Sequence, residues 1–304
     1  MIIKKEKKGS VTIYIVEKDF DDLKMSKMLN KKLKSNDKYA ILKENADVYT
    51  ADNVLLLRFR KNVLGNKNID EFYDNVIKFA RTPTHNRGSA SGSKKKNIYD
   101  NPNIYTNIIG YFDTLAPNHK QIMTKKGIHN FLSVRPTRFL MNYPEKYKKL
   151  VPLIKEIDEN YKKLVPEQYA KQRAHANQTH FKIPGTAFTT ITTNLNYQTT
   201  VHTDKGDDED GFGNLTVIER GKYTGGETCF PQYGVCVDVR TGDILYMNVH
   251  DPHGNLPIRL ESHDAERLSI VCYLRKKIWE KTKGKNKRFF EKHNATFKRI
   301  IQKK

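Results

Sequence analysis

The chain has 304 residues, a mean hydropathy of −0.73 and a formal net charge of +21. This length suits one large domain with additions, or two small domains. The start of the sequence lacks an apolar segment of signal-peptide length, and no run approaches the roughly 18 apolar residues of a membrane helix. We therefore expect an intracellular protein that has no membrane partner.

The positive charge is the strongest feature of the composition. Lysine and arginine number 55, whereas aspartate and glutamate number 34. Such a field attracts polyanions, with nucleic acid first and membrane surfaces second. The codon bias of an AT-rich genome would also enrich lysine, but it would enrich the acidic residues as well. The imbalance therefore favours a polyanionic partner.

The three cysteines are Cys229, Cys236 and Cys272. Their number is odd and they contain no CxxC pair, which argues against a disulfide framework and against a zinc knuckle. Each lies in apolar, strand-like sequence. We therefore expect three buried free thiols in a reducing compartment.

The N-terminal part, residues 1–84, alternates short strands with helical sequence. Residues 11–16 (VTIYIV) and 54–59 (VLLLRF) are typical of strands, and residues 69–80 have helical periodicity. This pattern predicts a small α/β segment. The Gly/Ser/Lys-rich residues 82–98 form a linker or surface loop, with a phosphate-contacting loop or an active-site approach as the alternatives.

The remaining sequence changes from a helical period to a period of two. Residues 145–173 carry an apolar stripe at helical spacing, and from about residue 186 six short strands alternate with Gly/Asn/Asp-rich turns. These strands are AFTTITTN, QTTVHTD, NLTVIE, GVCVDV, DILYMNV and RLSIVCYL. The pattern predicts a mainly β fold with α, in which a jelly roll (double-stranded β-helix) at residues 85–280 is flanked by helices. Residues 281–304 form a basic helical tail.

An HxD motif carries the first candidate site residues. Side chains at positions i and i+2 of a strand leave the same face, so His202 and Asp204 should point into one space. Two histidines and one carboxylate form the facial triad of non-haem Fe(II) oxygenases, which leaves positions open for a co-substrate and O₂. A third ligand is therefore required from elsewhere in the chain.

Downstream residues complete this pattern. His253 is followed by Gly-Asn-Leu-Pro and is the expected third ligand, although His250 lies close enough to be the alternative. Arg267 and Ser269 share a strand face, where a guanidinium and a hydroxyl could hold the far carboxylate of 2-oxoglutarate. Zinc would favour more Cys or His ligands and has no use for the arginine.

Four segments resemble the TET/JBP family, which oxidises the methyl group of 5-methylcytosine or thymine in nucleic acid. They are FTTITTNLNYQTTVHTD, YTGGETCFPQYG, GDILYMNVHDPHGNLP and ERLSIVCYLRKK. The resemblance covers residues 180–277 well and 85–180 more loosely. It implies an iron site at His202, Asp204 and His253, and a 2-oxoglutarate site at Arg267 and Ser269. The Cys-rich region of animal members is absent, so the chain looks like the compact protist, fungal and viral members.

The resemblance implies an Fe(II)- and 2-oxoglutarate-dependent dioxygenase that uses O₂, with ascorbate as reductant. It would convert a 5-methylpyrimidine in DNA to its hydroxymethyl form, in the nucleus or a viral host compartment. The sequence assigns no oligomeric state. GGETCFP also resembles prolyl 4-hydroxylases, which commonly carry lysine in place of Arg267, so a prolyl- or lysyl-type protein hydroxylase is the alternative. A metal-free nucleic-acid-binding module would explain the charge alone.

A base inside a duplex must be flipped out before such a site can reach it. An aromatic side chain near the motif loops could stack on the flipped base. Four aromatic residues lie near these loops, and each also suits a place in the core: Phe212, Tyr223, Phe230 and Tyr233.

Overall fold

The structure is a computed structural model that describes residues 1–34, 38–84 and 104–302. Most of the loop predicted at residues 82–98 lies outside these residues. The helices are Asp22–Met28 (α1), Asn66–Ala80 (α2), Pro117–Lys125 (α3), Arg138–Asn142 (α4), Pro144–Leu164 (α5), Pro166–Ala176 (α6), Lys276–Thr282 (α7) and Lys287–Gln302 (α8). None of the helices in the described part of the chain has the length and apolar character that a membrane span needs.

The structure contains sixteen strands in its described residues, and the first nine lie between residues 2 and 220. They are Ile2–Lys8 (β1), Val11–Val16 (β2), Ala40–Leu42 (β3), Ala46–Thr50 (β4), Leu55–Arg60 (β5), Thr106–Phe112 (β6), Arg135–Pro136 (β7), Thr190–Leu195 (β8) and Gly213–Arg220 (β9). The other seven are Tyr223–Gly225 (β10), Thr228–Phe230 (β11), Val235–Val237 (β12), Ile244–Met247 (β13), Gly254–Asn255 (β14), Ile258–Leu260 (β15) and Glu266–Tyr273 (β16).

The chain divides into two compact units. Unit 1 contains residues 1–107, 192–205 and 212–271, and unit 2 contains residues 108–191, 206–211 and 272–304. Every site residue predicted from the sequence belongs to unit 1. The division of the sequence at residues 84 and 280 stays a prediction.

A large, mostly antiparallel sheet organises unit 1. Its strands follow the order β1-β2-β4-β5-β13-β9-β16-β8. The β2 and β4 strands run parallel, whereas β4–β5, β5–β13, β13–β9 and β9–β16 are antiparallel. The N-terminal strands therefore extend the sheet that carries β9, β13 and β16, which their sequence alone did not predict.

A smaller sheet, β14-β11-β12-β3, shares the apolar core of unit 1. Buried residues of β2, β4, β5, β9 and β13 pack in one cluster with Phe230 of β11 and with Val235 and Val237 of β12. Burial of these branched and aromatic side chains removes apolar surface from water and stabilises the packing of one sheet on the other. His253 directly precedes β14 of the smaller sheet, and Arg267 and Ser269 belong to β16 of the large sheet.

The cysteine prediction was right about burial and wrong about the free thiols. All three side chains are buried, but Cys229 and Cys236 form a disulfide, which leaves Cys272 as a free thiol. Cys229 and Cys236 are directly opposite each other on the antiparallel β11 and β12, with Cα atoms 3.9 Å apart. Cross-strand neighbours of this kind place their Cβ atoms close together. The count of cysteines carried no information on this register.

Helices dominate unit 2. The apolar stripe predicted at residues 145–173 is buried in α5, where Leu150, Ile154 and Ile157 are fully covered. Pro144 and Pro166 occupy the first turns of α5 and α6, whereas Pro152 lies inside α5. The basic tail predicted at residues 281–304 contains the end of α7 and the whole of α8, and α8 buries apolar side chains beside α3.

Candidate active site

His202 and Asp204 lie in a segment that is not a strand. The sequence predicts a strand over QTTVHTD, but the backbone forms an isolated antiparallel bridge there, between His202 and His253. His202 donates its N–H to the His253 carbonyl at 2.8 Å, and His253 donates to the His202 carbonyl at 2.9 Å. The Asp204 N–H donates to the Val249 carbonyl at 3.0 Å. These backbone hydrogen bonds hold the segment of His202 and Asp204 beside the segment of His253, although the two segments do not form a continuous β-ladder.

Side chains hold the preceding residues in place of a strand partner. Asn255 Oδ1 accepts hydrogen bonds from the N–H and the hydroxyl of Thr199, both at 2.8 Å. Val201 bonds to the N-terminal segment, where its carbonyl accepts from Asn30 at 2.8 Å and its N–H donates to Lys31 at 2.9 Å. Thr and Asn side chains that bond to the backbone compete with strand pairing, which explains why this β-like sequence forms a loop.

Three side chains converge at the end of this loop. His202 Nε2 lies 3.6 Å from Asp204 Oδ1, and His253 Nε2 lies 3.8 Å from Asp204 Oδ2. One ligand atom from each of the three residues lies within 4.8 Å of the others. His250, the alternative third residue, is not part of this group. The donor set is that of a 2-His-1-carboxylate metal site.

Backbone carbonyls orient both imidazole rings. His202 Nδ1 lies 2.7 Å from the Thr200 carbonyl oxygen, and His253 Nδ1 lies 2.9 Å from that of Asp251. A carbonyl oxygen can only accept, so in the neutral form of each ring Nδ1 carries the proton and Nε2 keeps its lone pair. Burial and the neighbouring His202 lower the pKa of His253 to about 4, so its ring is neutral at pH 7. Neutral rings with free Nε2 atoms are what a divalent metal requires.

The three side chains differ in exposure. The His253 side chain is 6% exposed, whereas those of His202 and Asp204 are 22% and 27% exposed. The ring of Phe230 lies beside His253, with ring centroids 6.0 Å apart. The group is therefore covered on the side of His253 and open to solvent on the other.

Two consecutive glycines shape the position of Arg267. Gly225 and Gly226 both have a φ of +79°, where residues with a Cβ are strained. A Cβ on Gly225 would overlap the Pro257 carbonyl oxygen, and a Cβ on Gly226 would lie 2.7 Å from Arg267 Nε. Arg267 Nη2 donates to the Gly226 carbonyl at 2.8 Å. The glycines of GGET thus make room for the guanidinium and supply an acceptor for it.

Hydrogen-bond donors converge beside Arg267. Arg267 is 4% exposed, and burial lowers the pKa of its guanidinium. The phenol of Tyr223 lies next to it, and its hydroxyl has no hydrogen-bond partner among the described residues. Burial raises the pKa of Tyr223 to about 12, so the phenol stays protonated and can donate. A guanidinium and a phenol together suit a carboxylate.

Ser269 and Asn196 complete the surroundings of Arg267. Ser269 is buried on the same strand, and its Oγ has only long hydrogen bonds with Asn194, of 3.4 and 3.5 Å. Asn196, at a φ of +49°, accepts from the Arg267 N–H at 2.7 Å and donates its own N–H to the Arg267 carbonyl at 2.9 Å. The sequence did not predict the roles of Asn196 or of Gly226. Asparagine tolerates left-handed backbone, but that tolerance alone does not single out a residue.

The four aromatic residues proposed for base stacking are buried, with exposures between 0% and 8%. Phe230 and Tyr233 belong to the main apolar core of unit 1. Tyr223 contacts the arginine instead. Base stacking by any of the four stays a prediction.

A second polar group lies in unit 2. His175, Asp208 and Asp210 place ligand-type atoms within 4.8 Å of one another. The Asp208 carboxylate is already used, because His175 Nδ1 and Trp279 Nε1 lie 2.8 and 2.9 Å from its Oδ2. The indole also stacks on the imidazole, at 4.3 Å between centroids. These contacts anchor the acidic loop GDDEDGFG to α6 and α7.

Comparison with known proteins identifies the class of this fold and site. Residues 126–276 match the Tet_JBP model, described as the oxygenase domain of the 2OGFeDO superfamily. The structure matches that of NgTET1 in complex with 5mC DNA with a TM-score of 0.52 at 16% identity, over 86% of this chain and 89% of that one. The protein thus has the fold of a superfamily named for 2-oxoglutarate and Fe(II).

Two trypanosomatid relatives specify the family. The chain is 33% identical over 172 residues to a bifunctional helicase and thymine dioxygenase, JBP2, of Leishmania braziliensis. It is 33% identical over 190 residues to the thymine dioxygenase JBP1-A of Trypanosoma cruzi (strain CL Brener). These alignments cover 56% and 62% of this chain, but only 14% and 21% of the relatives. Residues 126–276 therefore form an oxygenase domain of the TET/JBP family.

Proposed function

We propose that this chain is an Fe(II)- and 2-oxoglutarate-dependent dioxygenase that oxidises the methyl group of a 5-methylpyrimidine in DNA to hydroxymethyl. The observation that carries the proposal is the convergence of His202, Asp204 and His253, with both histidine Nε2 atoms free to bind a metal. Family membership supports the same chemistry. The double-stranded β-helix belongs to this proposal, supported by the two sheets that pack around one core.

The donor set fits Fe(II). Imidazole nitrogen and carboxylate oxygen are ligands that iron accepts, and three protein ligands leave coordination positions for a co-substrate and O₂. The bound metal would supply activation of O₂, at the expense of 2-oxoglutarate, for oxidation of a substrate C–H bond, with ascorbate as reductant. The residues of the chain fix the ring orientation through Thr200 and Asp251, and the buried side at His253 excludes water.

Arg267 and its neighbours fit the distal carboxylate of 2-oxoglutarate. The guanidinium is buried, it is held by the Gly226 carbonyl, and the Tyr223 hydroxyl beside it has no acceptor among the described residues. Ser269 would add a third donor from the same strand as Arg267. A buried cation flanked by neutral donors favours an anion over a neutral ligand.

DNA is the proposed substrate for two reasons. The trypanosomatid relatives are thymine dioxygenases, and the chain carries 21 more positive than negative charges. Exposed lysines and arginines of α8 are well placed to contact phosphates, because the apolar face of that helix is buried. Phosphate contacts would position the duplex, whereas base choice would reside in the loops around the metal. A substrate base must leave the duplex to reach the site.

Nucleoside mass spectrometry tests the proposal. The full chain is incubated with Fe(II), 2-oxoglutarate and ascorbate on three duplexes of matched sequence. The first contains 5-methylcytosine, the second has thymine as its only methylated base, and the third has uracil in place of thymine and so carries no 5-methyl group. We expect a hydroxymethylated base that depends on 2-oxoglutarate, and its loss in His202→Ala and Asp204→Ala variants that remain folded. Unmodified DNA together with an oxygen gained by a proline- or lysine-containing peptide would favour the protein hydroxylase instead.

The basic helix provides a separate test of DNA binding. Truncation of the tail would expose the apolar side chains that α8 buries, so substitution of exposed charges is the cleaner change. Lys292→Gln and Lys298→Gln should reduce the log–log salt slope of DNA binding by about 0.9 for each phosphate that is no longer neutralised, without changing the base that is oxidised. An unchanged slope would exclude α8 from the DNA interface.

A further inference from the structure

Glu227 is a buried carboxylate that the proposed function does not use. Glu227 is 9% exposed, and its Oε2 atom has no hydrogen-bond partner among the described residues. A buried charge without a partner destabilises a fold, so such a group calls for a reason. It directly follows Gly226, the residue whose carbonyl holds Arg267.

Glu227 lies close to Arg267, because it follows Gly226, whose carbonyl accepts a hydrogen bond from the Arg267 guanidinium at 2.8 Å. Its carboxylate is among the groups that favour the charged form of the Arg267 guanidinium and so oppose the lowering of its pKa by burial. The other nearby cation, Arg240, already has two acidic partners, because its side chain donates to Glu219 at 3.0 Å and to Asp238. Arg267 and Glu227 therefore remain as one positive and one negative charge in the same buried region.

We propose that Glu227 is a counter-charge that lowers the affinity of the Arg267 pocket for dicarboxylates. This inference rests on the proposed function, in which Arg267 binds the distal carboxylate of 2-oxoglutarate. In the unliganded pocket, the negative charge of Glu227 partly neutralises the positive charge of Arg267. When a second carboxylate binds there, two anions share one guanidinium, and their repulsion weakens the complex. The same repulsion acts on succinate, the product that must leave the same pocket.

The magnitude follows from two like charges about 8 Å apart in a partly polar interior. At an effective dielectric constant of 20 to 40 this repulsion corresponds to a roughly 5- to 30-fold change in dissociation constant. Glu227→Gln keeps the shape of the side chain and removes the charge. It should therefore tighten binding of 2-oxoglutarate and succinate by this factor, whereas Glu227→Asp, which keeps the charge, should not.

The experiment is an anaerobic calorimetric titration of the full chain loaded with Mn(II), so that no turnover consumes the ligand. Three ligands are compared: 2-oxoglutarate, succinate, and 2-oxobutanoate, which has the 2-oxo acid group but lacks the distal carboxylate. We expect Glu227→Gln to tighten binding of the two dicarboxylates and to leave 2-oxobutanoate unchanged.

Three results would overturn the inference. If the unmodified chain binds 2-oxoglutarate and Glu227→Gln binds it no more tightly, Glu227 is not a counter-charge, although the proposed function stands. If 2-oxobutanoate gains as much affinity as 2-oxoglutarate, the effect is one of packing. If the metal-loaded unmodified chain binds no 2-oxoglutarate, the proposed function and this inference both fail.

Discussion

The substitution Gly226→Ala should disturb the position of Arg267 and leave the candidate metal site intact. The new Cβ would lie 2.7 Å from Arg267 Nε, closer than real Cβ atoms approach, so the flexible guanidinium must move. That movement breaks the 2.8 Å hydrogen bond from Arg267 Nη2 to the Gly226 carbonyl. Hydrogen bonds to charged groups contribute about 1.5–3 kcal/mol, so we expect 2-oxoglutarate to bind roughly 10- to 100-fold more weakly.

The backbone cost of this substitution has a matched control. Gly226 has a φ of +79°, where alanine costs about 1–2 kcal/mol of folding stability. Gly9 has a φ of +64° with no atom within 4 Å of an added Cβ, so Gly9→Ala incurs a similar backbone cost without the clash. Both variants should lose stability in urea, but only Gly226→Ala should lose 2-oxoglutarate affinity in an anaerobic titration with Mn(II). Equal affinity in the two variants would refute the role of Gly226.

Three further outcomes follow from the described contacts. His253→Ala should abolish stoichiometric metal binding measured by elemental analysis, whereas His250→Ala should retain it; the opposite result would reverse the ligand assignment. Burial raises the pKa of Asp113, but its 2.8 Å ion pair with Arg275 outweighs burial and leaves the pKa below the usual value. The pair therefore stabilises the fold above about pH 4 and loses this contribution as pH falls through the folded-state pKa. Asp113→Asn should therefore cost about 3 kcal/mol at pH 7 and much less below that folded-state pKa, as urea titrations would show. Alkylation of the denatured, unreduced chain should modify one cysteine, Cys272, and three after reduction; three before reduction would contradict the disulfide.

The sequence predicted that His202, Asp204 and His253 lie together, because the chemistry of these three residues is specific. An HxD pair, a later histidine and an RxS pair occur in a fixed order, and few other functions need all of these residues. Six strands of the large sheet were also predicted, because alternation of apolar and polar residues is a local signal: β2, β5, β8, β9, β13 and β16. β2, β9 and β16 lie close to their predicted limits.

The parts that were not predicted depend on long-range pairing. QTTVHTD has the alternation of a strand, but its bridge to His253 and its bonds to Asn255 arise only when residues more than 50 positions apart meet. The disulfide likewise follows from the register of β11 against β12. The placement of β1, β2, β4 and β5 in the same sheet as β13 depends on strand edges that the sequence does not mark.

The candidate metal ligands and Arg267 are held by different contacts, so substitutions should affect metal binding and 2-oxoglutarate binding separately. The imidazoles of His202 and His253 are oriented by the carbonyls of Thr200 and Asp251. The Arg267 guanidinium is oriented by its hydrogen bond to the Gly226 carbonyl, and the Arg267 backbone is held by hydrogen bonds with Asn196. Because neither set of contacts uses a residue of the other, changes at Gly226 should leave Mn(II) affinity intact while they weaken 2-oxoglutarate binding, and changes at His202 should remove both. A Gly226→Ala variant that also failed to bind the metal would show that the two sets of contacts form one cooperative network.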